Sequence, residues 1–214
     1  MSKDCSLNNI NSHAKLISYP EMKNAIILHG GYSSPNHYWY PSIKQFLESH
    51  DYEVWAPQLP GEEPDLANWL PFTLKNGKFN DNTLLISHSL GSALALAALE
   101  KINTKIYKAI LVSGFSKPRG DFKEKMLQEK YNWEKIKANV KDLILINSGN
   151  DPWGCNEKQG LYLWEKLGGT LILREGEGHM GSESFGQNYS RFYLLEKLIE
   201  LDFSRQSINS SDKK

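Results

Sequence analysis

Thr83-Leu-Leu-Ile-Ser87-His88-Ser89-Leu90-Gly91-Ser92-Ala93-Leu94-Ala95 reads as a strand, a sharp turn and a helix. Leu84, Leu85 and Ile86 form a continuous apolar run, the pattern of a strand buried on both faces of a parallel sheet. Residues 90–99 are rich in Ala and Leu, so they favour helix and are apolar nearly all round. Ser89 falls at the junction. Gly-x-Ser-x-Gly at such a junction is a nucleophile elbow, a strained turn that lifts a serine hydroxyl above the sheet edge. Here the first glycine is replaced by Ser87, so the pattern is Ser-x-Ser-x-Gly. Both flanks must be small because the strand and helix backbones nearly touch, and Ser87 meets that need.

The same alternation continues on both sides. Residues 25–28 predict a strand that runs into the glycine-rich loop His29-Gly30-Gly31-Tyr32-Ser33-Ser34-Pro35. Residues 37–49 predict a helix with Trp39, Ile43, Phe46 and Leu47 on one face and Pro41 in its first turn. A strand at 52–56 breaks at Pro57, and a helix within 64–75 carries Leu66, Trp69 and Leu70. Beyond the elbow, strands are expected at 109–112, 143–146 and 171–173. The charged stretch 115–142 suits up to two short helices, one at 131–139. A helix at 158–167 is closed by Gly168-Gly169. The last helix, 191–203, has Phe192, Leu195, Leu198 and Ile199 at helical spacing. Residues 15–19 suit a short edge strand. Residues 1–14 and 204–214 are polar and expected to be flexible.

Strands alternating with helices predict a three-layer α/β domain. It has about six mostly parallel strands with helices on both faces. Neither a repeat nor a linker divides it, so residues 1–214 read as one domain with its core at about 24–203. In such sheets ligands bind beyond the carboxyl ends of the strands. The His29-Gly30-Gly31 loop, Ser89, the loop at Asp151 and the loop at His179 all follow strand ends, so they meet on one edge.

A serine hydroxyl attacks only when a base takes its proton, and an acid must orient that base. Ser89, Asp151 and His179 occur in chain order nucleophile, acid, base, each past a strand. The rival acids are Glu157, Glu175 and Glu177. The last two lie too near His179 in sequence to approach its ring easily. An oxyanion needs aimed donors. The backbone N–H of Leu90 follows the nucleophile, and Gly31 or Tyr32 offers a second, with Gly31 preferred because glycine permits close approach. Tyr32, Trp39, Phe115, Trp153 and Met180 lie near strand ends and are candidates for an apolar substrate pocket. His29 and His88 adjoin these motifs, and no chemistry is assigned to them. The histidines lack His-x₃-His or His-Glu-x-x-His spacing, so neither a metal nor another cofactor is expected.

Composition narrows the partners. Lys and Arg number 25 and Asp and Glu 25, which gives no electrostatic reason to expect nucleic acid or an anionic membrane. No apolar run approaches membrane-spanning length. Residues 1–12 lack the apolar core of a signal peptide. Cys5 and Cys155 read as thiols of a reducing compartment, so a cytoplasmic location is expected. Oligomeric state is not legible.

The chain resembles the small serine hydrolases grouped around retinoblastoma-binding protein nine. The landmarks are His29-Gly30, Tyr38-Trp39-Tyr40-Pro41, Trp55-x-Pro57-x-Leu-Pro60, Ser87-His-Ser-Leu-Gly91, Ile136-Lys-Ala-Asn139, Asn150-Asp151-Pro152 and Gly178-His179. The resemblance implies an α/β-hydrolase fold without a large cap, with Ser89, Asp151 and His179 as its triad. It implies hydrolysis of esters or of small amide or peptide-like substrates. The retinoblastoma-binding pattern Leu-x-Cys-x-Glu does not carry over, since Trp153-Gly-Cys-Asn-Glu157 lacks the leucine. The expectation is a serine hydrolase acting on a small acyl substrate. The alternative is a catalytically idle binding or scaffold protein on the same fold.

Overall fold

The computed structural model describes residues 23–119 and 125–211, with side chains described as far as residue 202. The expected edge strand at 15–19 and the expected flexible residues 1–14 lie outside the described residues.

Among the described residues, six strands form one sheet: β1 (Lys23–Leu28), β2 (Tyr52–Trp55), β3 (Thr83–His88), β4 (Ile106–Val112), β5 (Val140–Ser148) and β6 (Thr170–Arg174). Their order is β2-β1-β3-β4-β5-β6, and every neighbouring pair is parallel. The helices are α1 (Tyr40–Glu48), α2 (Leu66–Asn76), α3 (Leu90–Lys101), α4 (Trp133–Ala138), α5 (Glu157–Leu167) and α6 (Tyr193–Ser211).

Strand side chains alternate between two cores. Ile26, Leu28, Leu85, Leu111 and Leu145 enter one, with residues of α2, α3, α4 and α5. Ala25, Ile27, Leu84, Ile86, Val112 and Ile146 enter the other, with residues of α1 and α6. Burying each larger aliphatic contributes about 1.5–3 kcal/mol, so a sheet covered on both faces suits these apolar runs. α3 is buried from Gly91 to Leu99, as its all-round apolar surface requires.

This order positions the site. From β1 the chain moves outward to β2, then returns to β3 on β1's other side. α1 leaves β1 towards one face and α3 leaves β3 towards the other. A crevice opens between the two strand ends, at the topological switch point.

Some boundaries differ from the expected ones. α1 starts at Tyr40, not residue 37, because Tyr38 takes the left-handed φ of 51° and breaks the turn before it. β5 starts at Val140, and its charged Asp142 is accommodated opposite Lys108 of β4. Between β4 and β5 the described residues form one helix, α4, capped by the Asn132 side chain, which accepts from the Lys135 N–H at 3.0 Å. No large cap domain is present among the described residues. The last helix, expected to end at residue 203, continues further. α6 runs to Ser211, and no proline or glycine interrupts it.

Candidate active site

The turn from β3 to α3 is strained. Ser89 has φ 54° and ψ −121°, a conformation that L-residues adopt only when their surroundings impose it. The Ser89 N–H donates to the Val112 carbonyl at 2.9 Å, anchoring the turn to β4. A Cβ on Gly91 would lie 2.5 Å from the Leu28 carbonyl oxygen and 2.6 Å from that of His29, so only glycine fits there. The position two residues before Ser89 is less demanding. Ser87 is fully buried, and its hydroxyl bonds that of Ser92 at 3.1 Å. A Cβ on Gly30 would touch Ser89 Cβ at 3.3 Å, and one on Gly31 would meet Leu90 Cδ1 at 2.2 Å. The β1 loop therefore passes directly over the elbow.

His179 follows β6, and Asp151 follows β5. His179 Nε2 lies 2.9 Å from Ser89 Oγ, and His179 Nδ1 lies 2.7 Å from Asp151 Oδ2. All three residues are buried. Asp151 Oδ1 accepts the Trp153 N–H at 2.8 Å, which fixes the carboxylate's rotation. Of the candidate acids, the one meeting the His179 ring is Asp151. Glu177 instead pairs with Arg174 and accepts from the Tyr189 hydroxyl. Chemically, this line of groups can move a proton from a serine hydroxyl to an imidazole and hold the resulting imidazolium against a carboxylate.

The His179 loop is held from several sides. Its N–H donates to Gln187 Oε1 at 2.8 Å, and the Gly178 N–H donates to Asn150 Oδ1 at 2.9 Å. Its carbonyl accepts from Ser113 Oγ at 3.0 Å and from His88 Nε2 at 2.8 Å. Burial, and then the nearby His179, push the His88 pKa well below the usual value, so His88 is neutral. Burial also lowers the pKa of His29. The His29 Nδ1–H donates to the Gly30 carbonyl, and its Nε2 accepts the Leu59 N–H. From the sequence, neither histidine is assigned any chemistry, and His29 supports its loop as its position suggests.

Two cavities adjoin the elbow. A cleft of about 250 Å³ is lined by Gly30, Gly31, Ser89, Leu90, Trp153 and His179, among others. A larger cavity of about 760 Å³ shares Tyr32, Leu90, Arg119 and Trp153 with it. The larger one carries Lys117, Arg119, Lys125 and Lys158 against Glu63 among its described lining residues. Of the residues expected to line a pocket, Tyr32 and Trp153 do so. Trp39, Phe115 and Met180 do not. All three are fully buried, and the Phe115 ring lies beneath the Arg119 guanidinium, 4.0 Å from it. Arg119 was not read from the sequence, because it lies in a charged stretch without periodicity.

Asp151, Cys155 and His179 place three potential metal-ligand atoms within 4.8 Å of one another. Two of these residues are already bonded to each other, and the Cys155 thiol accepts from Arg119 Nη1 at 3.1 Å.

Comparison with known proteins identifies the family and the fold. The family described as serine hydrolase matches residues 25–196. Serine hydrolase RBBP9 of Rattus norvegicus is 30% identical over 164 residues, covering 73% of this chain and 85% of the rat protein. The putative hydrolase YdeN of Bacillus subtilis is 30% identical over 135 residues, covering 60% of this chain and 71% of that protein. The crystal structure of the B. subtilis ydeN gene product superposes with a TM-score of 0.76 at 24% identity, covering 85% of this chain and 99% of that one. Mouse alpha/beta hydrolase domain-containing protein 10 superposes with a TM-score of 0.59 at 14% identity, covering 86% and 90% of the two chains. The chain belongs to the serine hydrolase family and is a hydrolase of the α/β-hydrolase fold.

Proposed function

We propose that the enzyme cleaves a small ester or amide through an acyl-enzyme on Ser89. Ser89 Oγ attacks the substrate carbonyl while its proton passes to His179 Nε2. The carbonyl π electrons move to oxygen, where the N–H groups of Leu90 and Gly31 stabilise them. The intermediate collapses, and His179 returns the proton to the departing alkoxide or amine. Water then repeats the sequence, releasing the acid and restoring Ser89. Asp151 holds His179 in the tautomer with its proton on Nδ1 and stabilises the imidazolium. The reading is carried by the continuous line Ser89–His179–Asp151, with contacts of 2.9 and 2.7 Å at a strained elbow.

The cleft at Ser89 is small against the roughly 300–1,000 Å³ of most ligand pockets, which favours a short acyl group there. The cavity beyond Tyr32 and Trp153 is the place for the leaving group. Its preponderance of lysine and arginine suits a polar or anionic one. A cytoplasmic setting belongs to the same proposal, since Cys155 is a buried thiol that a reducing compartment preserves. No helix among the described residues is long and apolar enough to cross a membrane.

The test is a p-nitrophenyl ester series in the parent and Ser89→Ala. Acetate or butyrate should turn over faster than long-chain esters, and Ser89→Ala should abolish turnover at an unchanged melting temperature. Faster cleavage of long chains would remove the short-acyl reading. Activity retained by a folded Ser89→Ala would remove the nucleophile.

A further inference from the structure

Tyr38, Trp39 and Tyr40 are consecutive, and each is tied, directly or through one further side chain, to the segment that carries His179. Tyr38 Oη accepts the Glu183 N–H at 3.1 Å, and its ring leaves no room for a Cβ on Gly181. Trp39 Nε1–H donates to the Met180 carbonyl at 2.9 Å. Tyr40 works through His88. Tyr40 Oη lies 2.6 Å from His88 Nδ1, and His88 Nε2 lies 2.8 Å from the His179 carbonyl oxygen. At its other end, Tyr40 Oη accepts the Gly30 N–H at 3.2 Å.

The proton positions in this chain have one solution. A carbonyl oxygen can only accept, so His88 Nε2 carries the hydrogen. In a neutral ring, Nδ1 is then bare and must accept. The Tyr40 hydroxyl supplies that hydrogen while its oxygen takes the Gly30 N–H. The line therefore runs Gly30 N–H to Tyr40 O–H to His88 Nδ1, then His88 Nε2–H to the His179 carbonyl. Tyr40 and His88 are both buried, so no water competes for these bonds. Burial raises the Tyr40 pKa and lowers that of His88, so both stay neutral and the polarity of the line is constant.

We propose that Tyr40 and His88 are positioning residues for the hydrolysis. They form a buried relay that sets the loop bearing the Gly31 N–H and the loop bearing His179 at a fixed distance across Ser89. This rests on the reading of Ser89 as nucleophile and His179 as base. Neither relay residue touches the reacting atoms. What they fix is where the imidazole and the oxyanion donor stand relative to Ser89 Oγ. A misplacement approaching 1 Å costs on the order of 100-fold in rate, so the relay acts on kcat and on the reactivity of Ser89 rather than on substrate affinity.

The experiment uses the full chain with p-nitrophenyl acetate. It measures kcat, KM, melting temperature and the rate at which a fluorophosphonate labels Ser89. Tyr40→Phe keeps the ring and removes the hydroxyl. It should lower kcat and the labelling rate together by roughly 10- to 100-fold, with KM within about twofold. His88→Leu should do the same, and the double variant should be no slower than the worse single one, because both break one line. His88→Gln should retain more activity than His88→Leu, since an amide offers one donor and one acceptor. Ile199→Val in α6 is the control for general loosening: a lower melting temperature with parental kcat.

Tyr40→Phe or His88→Leu with kcat within twofold of the parent would overturn the proposal. So would strictly multiplicative losses in the double variant, or a matching loss in Ile199→Val. His88→Leu carries the same test if Tyr40→Phe fails to fold. Turnover by folded Ser89→Ala would instead remove the nucleophile reading itself, a result separate from any of these.

Discussion

Ser89 is held at a positive φ by its neighbours rather than by its own preference. The Val112 carbonyl fixes its N–H, and the Leu28 and His29 carbonyls press on Gly91. Gly91→Ala should therefore be severe. Its Cβ would meet backbone oxygen, which cannot rotate away, and overpacking of this kind costs about 1–3 kcal/mol or more. Urea denaturation should show that loss together with reduced esterase activity. A variant as stable as the parent would mean that the elbow is looser than these distances imply. Asp151→Asn tests the acid. It preserves shape but favours the wrong histidine tautomer, and an equivalent change in a serine protease costs about 10⁴-fold in kcat. A comparable fall with an unchanged melting temperature is expected, and a loss below tenfold would contradict the role. That Ser89, His179 and Asp151 meet was legible in the sequence, because each follows a strand end in a fixed chain order. The relay through Tyr40 and His88 was not legible, because nothing in sequence spacing shows that residues 40, 88 and 179 meet. Trp39, Phe115 and Met180, expected in the pocket, are fully buried and do not line the two cavities, because proximity to a strand end does not fix where a side chain turns.

The helices and strands were legible where period and punctuation agreed. α5 stops at Gly168, whose φ of 71° suits glycine. The Gly169 beside it has φ 82°, and a Cβ there would strike the Leu143 carbonyl oxygen at 2.4 Å. α6 was harder to read, because its polar end lacks an apolar stripe to extrapolate. One tie of α6 to the sheet is ionic. Lys108 on β4 is buried, with Asp202 of α6 at 2.6 Å and Asp142 of β5 at 3.0 Å. Burial alone would lower the Lys108 pKa, but the two carboxylates more than reverse it and the net shift is upward. Removing Asp202 leaves a buried ammonium with one partially exposed partner. Asp202→Ala should cost about 3 kcal/mol, near the low end for breaking a buried pair. The sign with pH follows from the raised pKa. The stabilisation is complete below the unfolded value of 10.5 and is lost as pH rises through the folded value. The gap between parent and Asp202→Ala, measured by urea denaturation, should therefore be constant near neutrality and shrink above that point. A gap that widened with rising pH would contradict the pairing.

At the scale of the whole molecule, the sheet order brings four loops to one edge, and two buried histidines stand beneath them. His29 and His88 both have lowered pKa values in the fold, against 6.5 unfolded. Below that pH the unfolded chain takes up protons that the fold refuses, so stability falls as pH falls. Each histidine adds a slope of up to about 1.4 kcal/mol per pH unit. His88→Gln should remove one proton from that slope, whatever it does to stability at neutral pH. Denaturation midpoints between pH 5 and 8 test this, and an unchanged slope would mean that His88 accepts a proton in the fold.

In this mechanism Ser89 is proposed as the nucleophile activated by His179 and Asp151. Mass spectrometry after fluorophosphonate treatment tests it most directly. The parent should gain one adduct, mapped to the peptide containing Ser89. Asp151→Asn should gain it much more slowly, and folded Ser89→Ala should gain none. An adduct on another residue, or labelling of Ser89 at the same rate in the parent and Asp151→Asn, would contradict the account.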